Sequence, residues 1–483
     1  MPKVSLAKTD VENRTKIVCT IGPASSSVET LEKMIAAGMD VARFNFSHGS
    51  YESNLELLEK VRVASKKVGR PVAILQDLQG PKIRVGVLPP EGVELVEGQT
   101  VTLQAGVKEA KPGIIPVPYD RLAHDVRKGD RLLLDDGTRE LEVIDVRGPI
   151  IRAKVILGGK LLSKKGINTP TVALSIESLT AKDIQDLEFG LKQDIDFVAL
   201  SFVRQANDVV ELKKKITKYL PKNVAAPAII VKIEKNEALV NFDEILKISD
   251  GVMIARGDLG LETPATKVPM HQKMIIAKCI VAGKPVITAT QMLDSMQRTP
   301  RPTRAEVSDV ANAVIDHTDA VMLSGESAMG QYPVESVATM AQIIEDTEES
   351  PLDNLLPHRE ATGEQLSSAV AAASVELARH ISAAAILVTT HSGYSARMVS
   401  RYRPETPIFA ATDHFRTRQQ LLLSWGVTAF DVEGYSEPEK MAAKATAILK
   451  KTYGLKAGSK VVLVSGLKRS KGGFDTAIRV VEL

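Results

Sequence analysis

Lys232 and Glu234 stand two residues apart in the run AIIVKIE, which begins at Ala228 and is apolar up to that pair. On a strand both side chains share one face. A lysine and a carboxylate so placed make a salt bridge as readily as a reactive pair. A second apolar run, DGVMIARGD, ends in Arg256 and Asp258, and Asp258 opens a GDLG turn whose glycines let backbone N–H groups approach an anion. Two hard carboxylate oxygens beside a lysine suit Mg2+ and a phosphate. Apolar strands that end abruptly in charge are the pattern of a parallel barrel, whose chemistry sits at the strand C-termini.

Those charges need a scaffold, and the chain supplies a rhythm. Apolar runs beginning near 15, 39, 71, 194, 227, 250, 284 and 319 each lead into a helical segment, among them one near Ser26, one from about Leu179 and an amphipathic one between Glu234 and Asp250. Eight such units predict a (β/α)8 TIM barrel made of residues 1–79 and 175–350. Residues 80–174 interrupt it with short β runs and no helical period, which predicts an inserted small β-barrel that acts as a lid. The polar, proline-bearing stretch PLDNLLPHREATGEQ marks a boundary, and residues 351–483 alternate helix and strand as an open, doubly wound α/β domain.

Bulk composition narrows the class. A chain of 483 residues with 44% hydrophobic and 25% charged residues is that of a globular protein of about three units. Its net charge of +3 implies neither a nucleic acid nor an anionic membrane as partner. The two cysteines, Cys19 and Cys279, lie in apolar runs, as buried thiols of a reducing compartment do. With no apolar segment at the N-terminus and no run long enough to span a bilayer, a cytoplasmic location is expected.

Gathered at the barrel's strand ends are Arg43, Asn45, Ser47, Asp77, Lys232, Glu234, Asp258, Thr290 and Ser324. Cations for a phosphate, carboxylates for a divalent metal and hydroxyls for proton movement form a set suited to phosphoryl transfer. Singly these residues have plainer uses: Arg43 as an ion-pair partner, Thr290 and Ser324 as strand-end hydrogen bonders, His48 as a loop contact, Met292 and Met296 as helix core.

The motifs TKIVCTIGPAS, ARFNFSHG, LQGPKIR, SKKGIN, VKIEKNEA, ARGDLGLE, ITATQMLDSM and PRPTRAEVSDVANAV occur in that order from Thr15 to Val314. In them, and over essentially its whole length, the chain resembles the pyruvate kinase family. The resemblance implies transfer of the phosphoryl group of phosphoenolpyruvate to ADP, then protonation of the enolate to pyruvate. Glu234 and Asp258 would hold Mg2+ or Mn2+, Lys232 would face the phosphoryl group in flight, and Arg43 would grip it from the ADP side. Gly257 and Asp258 would present amides to the substrate carboxylate, and Thr290, extended by Ser324, would belong to the hydroxyl network that delivers the proton. Asn45, His48, Arg84 and Lys165 would face the nucleotide, Lys165 on closure of the lid, whose Asp135-Asp136-Gly137 also matches a family turn.

One departure bears on the cofactors. Many members read GPEIR and need K+, held by residues matching Asn45, Ser47 and Asp77, whereas this chain reads GPKIR and has Leu78 where a threonine is usual. The Lys82 ammonium can supply the missing charge, so K+-independent catalysis is expected. In the C-terminal domain Thr389, Thr390, Ser392, Gly393 and Ser395 form a strand–loop–helix join that resembles the family's site for a phosphorylated activator, a sugar phosphate or a nucleotide. The facing loop carries Lys468, Arg469 and Lys471 but departs from the family's usual ending. A homotetramer is implied by the resemblance alone. Two other readings use the same residues. A non-catalytic sensor would not need Thr290, and a lyase on a similar barrel would need neither the lid nor Arg43 and Lys165.

Overall fold

A computed structural model describes residues 13–109, 111–170, 172, 174–354, 366–434, 438–468 and 474–483. Eight parallel strands close into a ring: Lys16–Thr20, Val41–Asn45, Ala73–Asp77, Phe197–Leu200, Ala228–Ile233, Gly251–Ala255, Val286–Ala289 and Ala320–Leu323. The first pairs with both the second and the eighth, and the third pairs directly with Phe197–Leu200, so the long insertion leaves the ring intact.

Burial on both faces explains why these strands read as continuous apolar runs. Val18, Val41, Leu75, Phe197, Ile230, Met253, Ile287 and Met322 fill the barrel interior, while their sequence neighbours Ile17, Ala42, Ile74, Val198, Val231, Ile254, Val286 and Val321 pack outward with the helices. Strand alternation carries the inward face on to the strand ends. Arg43 shares its face with Val41, Asp77 with Leu75, Ser201 with Ala199, and Lys232 with Ile230, so each points inward at the top of the barrel.

The segment expected as one amphipathic helix after Glu234 is two short helices, Asn236–Val240 and Phe242–Ile248. Met292 and Met296 are buried, but Met296 lies on a 3-10 turn, Asp294–Gln297, and not on an α-helix.

The insertion forms a six-stranded sheet and a two-stranded one around its own core, including Leu103, Leu132, Leu141 and Ile151. It is a β half-barrel, in keeping with the small β-barrel expected, and it carries a one-turn helix, Leu122–Asp125. It leans on the main barrel through Gly137, whose positive φ of 78° suits glycine and whose missing side chain matters, since a Cβ there would meet Leu261 at 2.8 Å.

The C-terminal sheet runs, in spatial order, Val427–Asp431, Ile408–Thr412, Ala385–Thr389, Lys460–Lys468 and Phe474–Glu482. The first four are parallel, and the last is an antiparallel edge strand that the sequence reading lacked. From this domain Leu422 and Leu423 enter the apolar cluster of the barrel interior. Among the described residues no helix is long and apolar enough to cross a membrane.

Candidate active site

The centre of the site is a buried lysine among carboxylates. Lys232 Nζ lies 2.8 Å from Glu234 Oε1 and 3.4 Å from Asp77 Oδ1, and donates to Ser201 Oγ at 2.8 Å. Its side chain is 11% exposed and that of Glu234 is 1% exposed. Burial opposes the charge on Lys232, but Asp77 and Glu234 outweigh it and hold the ammonium above its ordinary pKa. Arg43 donates through Nε to Asp77 Oδ2 at 2.8 Å and through Nη1 to Thr20 Oγ1 at 2.7 Å. Against the cost of its burial, Lys232 and Arg43 keep Asp77 below the usual carboxylate range. Glu234 is pushed the other way, by burial first and then by the charge of Asp258, although Lys232 pulls it down. The backbone N–H of Phe202 donates to Glu234 Oε2 at 2.7 Å and fixes its plane.

Asp258 stands at the start of helix Arg256–Glu262. Lys82 Nζ approaches Asp258 Oδ1 at 3.3 Å and Asp136 Oδ1 at 3.8 Å, so the GPKIR lysine bridges the barrel and the inserted domain. Asp77, grouped with that lysine among the equivalents of a monovalent-ion site, has Arg43, Lys232 and Ser201 as partners. The hydroxyl of Thr290 accepts the Gly257 N–H at 2.8 Å and donates to Ala289 O at 2.6 Å. Lys82, Asp136, Gly257, Asp258, Thr290 and Gln291 all border one open cleft of about 890 Å³.

The remaining expected residues surround this centre or lie away from it. Asn45 ends its strand in a turn, its Oδ1 accepting the Ser47 N–H at 3.1 Å and its carbonyl accepting the His48 N–H at 3.2 Å. Arg84 donates to Lys164 O at 3.2 Å, and Lys165 pairs with Asp135 at 2.9 Å, both within the inserted domain. Ser324 follows the eighth strand, and its N–H donates to Glu326 Oε2 at 2.8 Å. The cluster from Thr389 to Ser395 belongs to the other sheet, where Thr390 Oγ1 accepts the Gly393 N–H at 3.0 Å and Gly393 has φ 75°. Lys468 is the last residue of strand Lys460–Lys468, and Arg469 and Lys471 lie outside the described residues.

Four contributors carried no role in the sequence reading. Ser201 links Lys232 to Asp77 and was findable only by extending the inward alternation of Phe197 and Ala199 one step. Glu326, whose carboxyl burial pushes up, accepts the N–H groups of both Leu293 and Ser324 and so ties the last two strand ends together. Arg256 and Asp309 form a bidentate pair beside Thr290.

Among the described residues no three His, Cys, Asp or Glu side chains gather as a metal cage. The chemistry of Glu234 and Asp258 nonetheless suits a divalent ion, because two mutually repelling carboxylate donors are what Mg2+ uses when substrate oxygens complete its shell.

Comparison with known proteins agrees along the whole chain. Residues 12–337 match the family model for the pyruvate kinase barrel domain, and residues 368–481 match that for the pyruvate kinase alpha/beta domain. A pyruvate kinase of Geobacillus stearothermophilus is 43% identical over 479 residues, which is 97% of this chain and 80% of that protein. One from Bacillus licheniformis is 45% identical over 94% of this chain and 78% of its own length. The crystal structure of a pyruvate kinase from Cryptosporidium parvum, 36% identical, superposes with a TM-score of 0.89 over 99% of this chain and 98% of that one. With the barrel, the insertion and the C-terminal sheet all matched in order, the chain belongs to the pyruvate kinase family, whose members transfer the phosphoryl group of phosphoenolpyruvate to ADP.

Proposed function

We propose that catalysis runs between Lys232 and the Thr290 end of the cleft, in two half-reactions. The observation that carries this is the inward-facing ammonium of Lys232, held charged between Asp77 and Glu234. A fixed cation there offsets charge on the equatorial oxygens of the phosphoryl group in flight, with no reorganisation at the moment of transfer. Arg43, aimed by Asp77 and Thr20, grips the same group from the nucleotide side. Asn45, His48, Arg84 and Lys165 are read as the nucleotide's contacts. Glu234 and Asp258 would hold Mg2+ or Mn2+, which supplies a Lewis acid for the enolate oxygen. The Gly257 and Asp258 amides receive the substrate carboxylate, and Thr290, with Ser324 behind it, carries the proton to the enolate carbon. A hydroxyl's own pKa is too high for simple acid catalysis near pH 7, so Thr290 relays a proton that water resupplies.

Two finer properties obey the same logic. Lys82 brings a fixed positive charge to the mouth of the site, 3.3 Å from Asp258, and so we read the enzyme as independent of K+, with Asn45, Ser47 and Asp77 as remnants of a monovalent site. A phosphorylated activator, a sugar phosphate or a nucleotide, is assigned to Thr389, Thr390, Ser392, Gly393 and Ser395. Thr389 ends the central strand Ala385–Thr389 and the others follow it, at the point where the chain continues to Ile408–Thr412 on one side of that strand and later returns to Lys460–Lys468 on the other, which is where open α/β sheets bind ligands. A homotetramer rests on the resemblance alone, and the two buried free thiols suit a reducing cytoplasm.

One assay examines these points: ATP and pyruvate are measured together from phosphoenolpyruvate, ADP and Mg2+ in Tris free of K+ and NH4+, with and without candidate phosphosugars. Both products should form at equal rates. A gain in kcat/KM of more than about tenfold on adding KCl, equivalent to roughly 1.4 kcal/mol, would overturn the role given to Lys82. Lys82→Glu should create that dependence.

A further inference from the structure

Thr290 and Gln291 both have left-handed backbones, with φ of 70° and 55°. For a β-branched residue such as Thr290 that conformation is strained and must be imposed by its surroundings. The restraint comes from Arg256, whose side chain is 11% exposed. Its Nη2 donates to Thr290 O at 2.8 Å and its Nε to Ala289 O at 3.3 Å, so one guanidinium holds consecutive carbonyls across the strained residue. Asp309, on helix Arg304–Ile315, fixes that guanidinium in turn, accepting from Nη1 at 2.8 Å and lying 2.7 Å from Nη2. Arg256 also begins the helix whose Gly257 N–H meets the Thr290 hydroxyl at 2.8 Å. Backbone and side chain of one residue thus define both where Thr290 sits and what its hydroxyl touches.

We propose that Arg256 and Asp309 are positioning residues for the proton-delivering half of the reaction. The proposal rests on the relay role given to Thr290. When the substrate carboxylate takes the Gly257 amide, the Thr290 hydroxyl loses that donor and its O–H turns away from Ala289 O, which Arg256 Nε also occupies, while Arg256 keeps the strained backbone from relaxing. The O–H then faces the enolate carbon. There a C–H bond forms as the O–H bond breaks, and water returns the proton to the hydroxyl. Phosphoryl transfer, centred on Lys232 and Arg43, does not pass through this pair. Loss of the pair should therefore separate the two half-reactions.

The test compares Arg256→Lys and Asp309→Asn with the unaltered enzyme in two measurements. The first is ATP formation in a single turnover. The second is deuterium uptake into the pyruvate methyl group in D2O with ATP and Mg2+, followed by NMR. Uptake should fall at least tenfold in each variant, while single-turnover ATP formation falls less than threefold. The double variant should be no worse than the poorer single one, because the two residues act as a unit. Asp309→Glu should recover part of the uptake. Asp309 is 37% exposed, so its asparagine variant should fold, and a melting curve checks this. A parallel fall in both measurements, or no fall in uptake, overturns the proposal. Thr290→Val separates the premise: if it retains full uptake, the relay role of Thr290 fails and the proposal with it, whereas loss in Thr290→Val alone leaves the relay standing and removes only the Arg256–Asp309 pair.

Discussion

At the scale of single residues, the site depends on a cation that cannot leave. Two carboxylates flank Lys232, and burial of all three makes each charge costly without the others. Glu234 and Asp77 are therefore both scaffold for the ammonium and its electrostatic complement. Lys232→Met keeps most of the side-chain volume and removes the charge, which should lower the single-turnover rate by about 10²–10³-fold, the scale of losing one preorganised transition-state donor. It should also destabilise the fold by about 3 kcal/mol, since removal of one partner leaves buried charge uncompensated. Retention of more than about a tenth of the rate, with the fold intact, would mean that Lys232 is a structural ion-pair residue and that Arg43 alone meets the phosphoryl group.

At the scale of elements, the barrel is closed from below by a segment of another domain. Helix Phe415–Leu421 leads out of the C-terminal sheet, and the next two residues, Leu422 and Leu423, pack with Val18, Leu75, Phe197 and Met253 inside the barrel. Arg416 on that helix anchors to Asp196 at 2.8 Å and also to Asp194, just before the strand that ends near Ser201. Leu423 is wholly buried, and Leu423→Ala should cost about 2–5 kcal/mol in denaturant unfolding, because it leaves a cavity in a core that two domains share. A loss below about 1 kcal/mol would show instead that the domains merely touch. The sequence hides this arrangement because LLL reads equally as the apolar face of a local helix. The inward row was legible: apolar runs gave the eight strands, and two-residue spacing put Lys232 and Glu234 on one face. Ser201 was not, since a serine at a strand end has many ordinary uses and only its neighbours on the two adjoining strands, Asp77 and Lys232, give it meaning. The edge strand Phe474–Glu482 escaped because its alternation is weak.

At the scale of the whole molecule, a charged knot joins the start of the first barrel strand, the last barrel helix and the C-terminal domain. Arg14 reaches Asp353 at 2.9 Å and Glu405 at 2.8 Å, its backbone N–H donates to Glu348 Oε2 at 2.9 Å, and its carbonyl accepts the Gly426 N–H at 2.8 Å. The guanidinium groups of Arg14 and Arg403 lie 5.2 and 5.1 Å from the centroid of the Trp425 ring, and His317 Nδ1 is 3.5 Å from Asp353 Oδ1. Burial pushes the Asp353 carboxyl up to about 6 in spite of Arg14, with Glu348 and Glu405 adding to the rise. In the unfolded chain an aspartate titrates near 4, so between about pH 4 and 6 the folded state keeps a proton that the unfolded state has lost. The contribution of this group to stability is thus complete below about pH 4 and declines as pH rises through 6. Asp353→Asn fixes the neutral form and cannot follow that decline. The melting temperature of the variant relative to the unaltered protein should therefore rise between pH 5 and 7.5, by an amount on the order of 1–2 kcal/mol, or about 1–2 °C for a chain of this size. Calorimetry at the two pH values reads the difference directly. If the variant instead loses ground as pH rises, the ion pair with Arg14 dominates, and Asp353 is an ionised clasp at all these pH values.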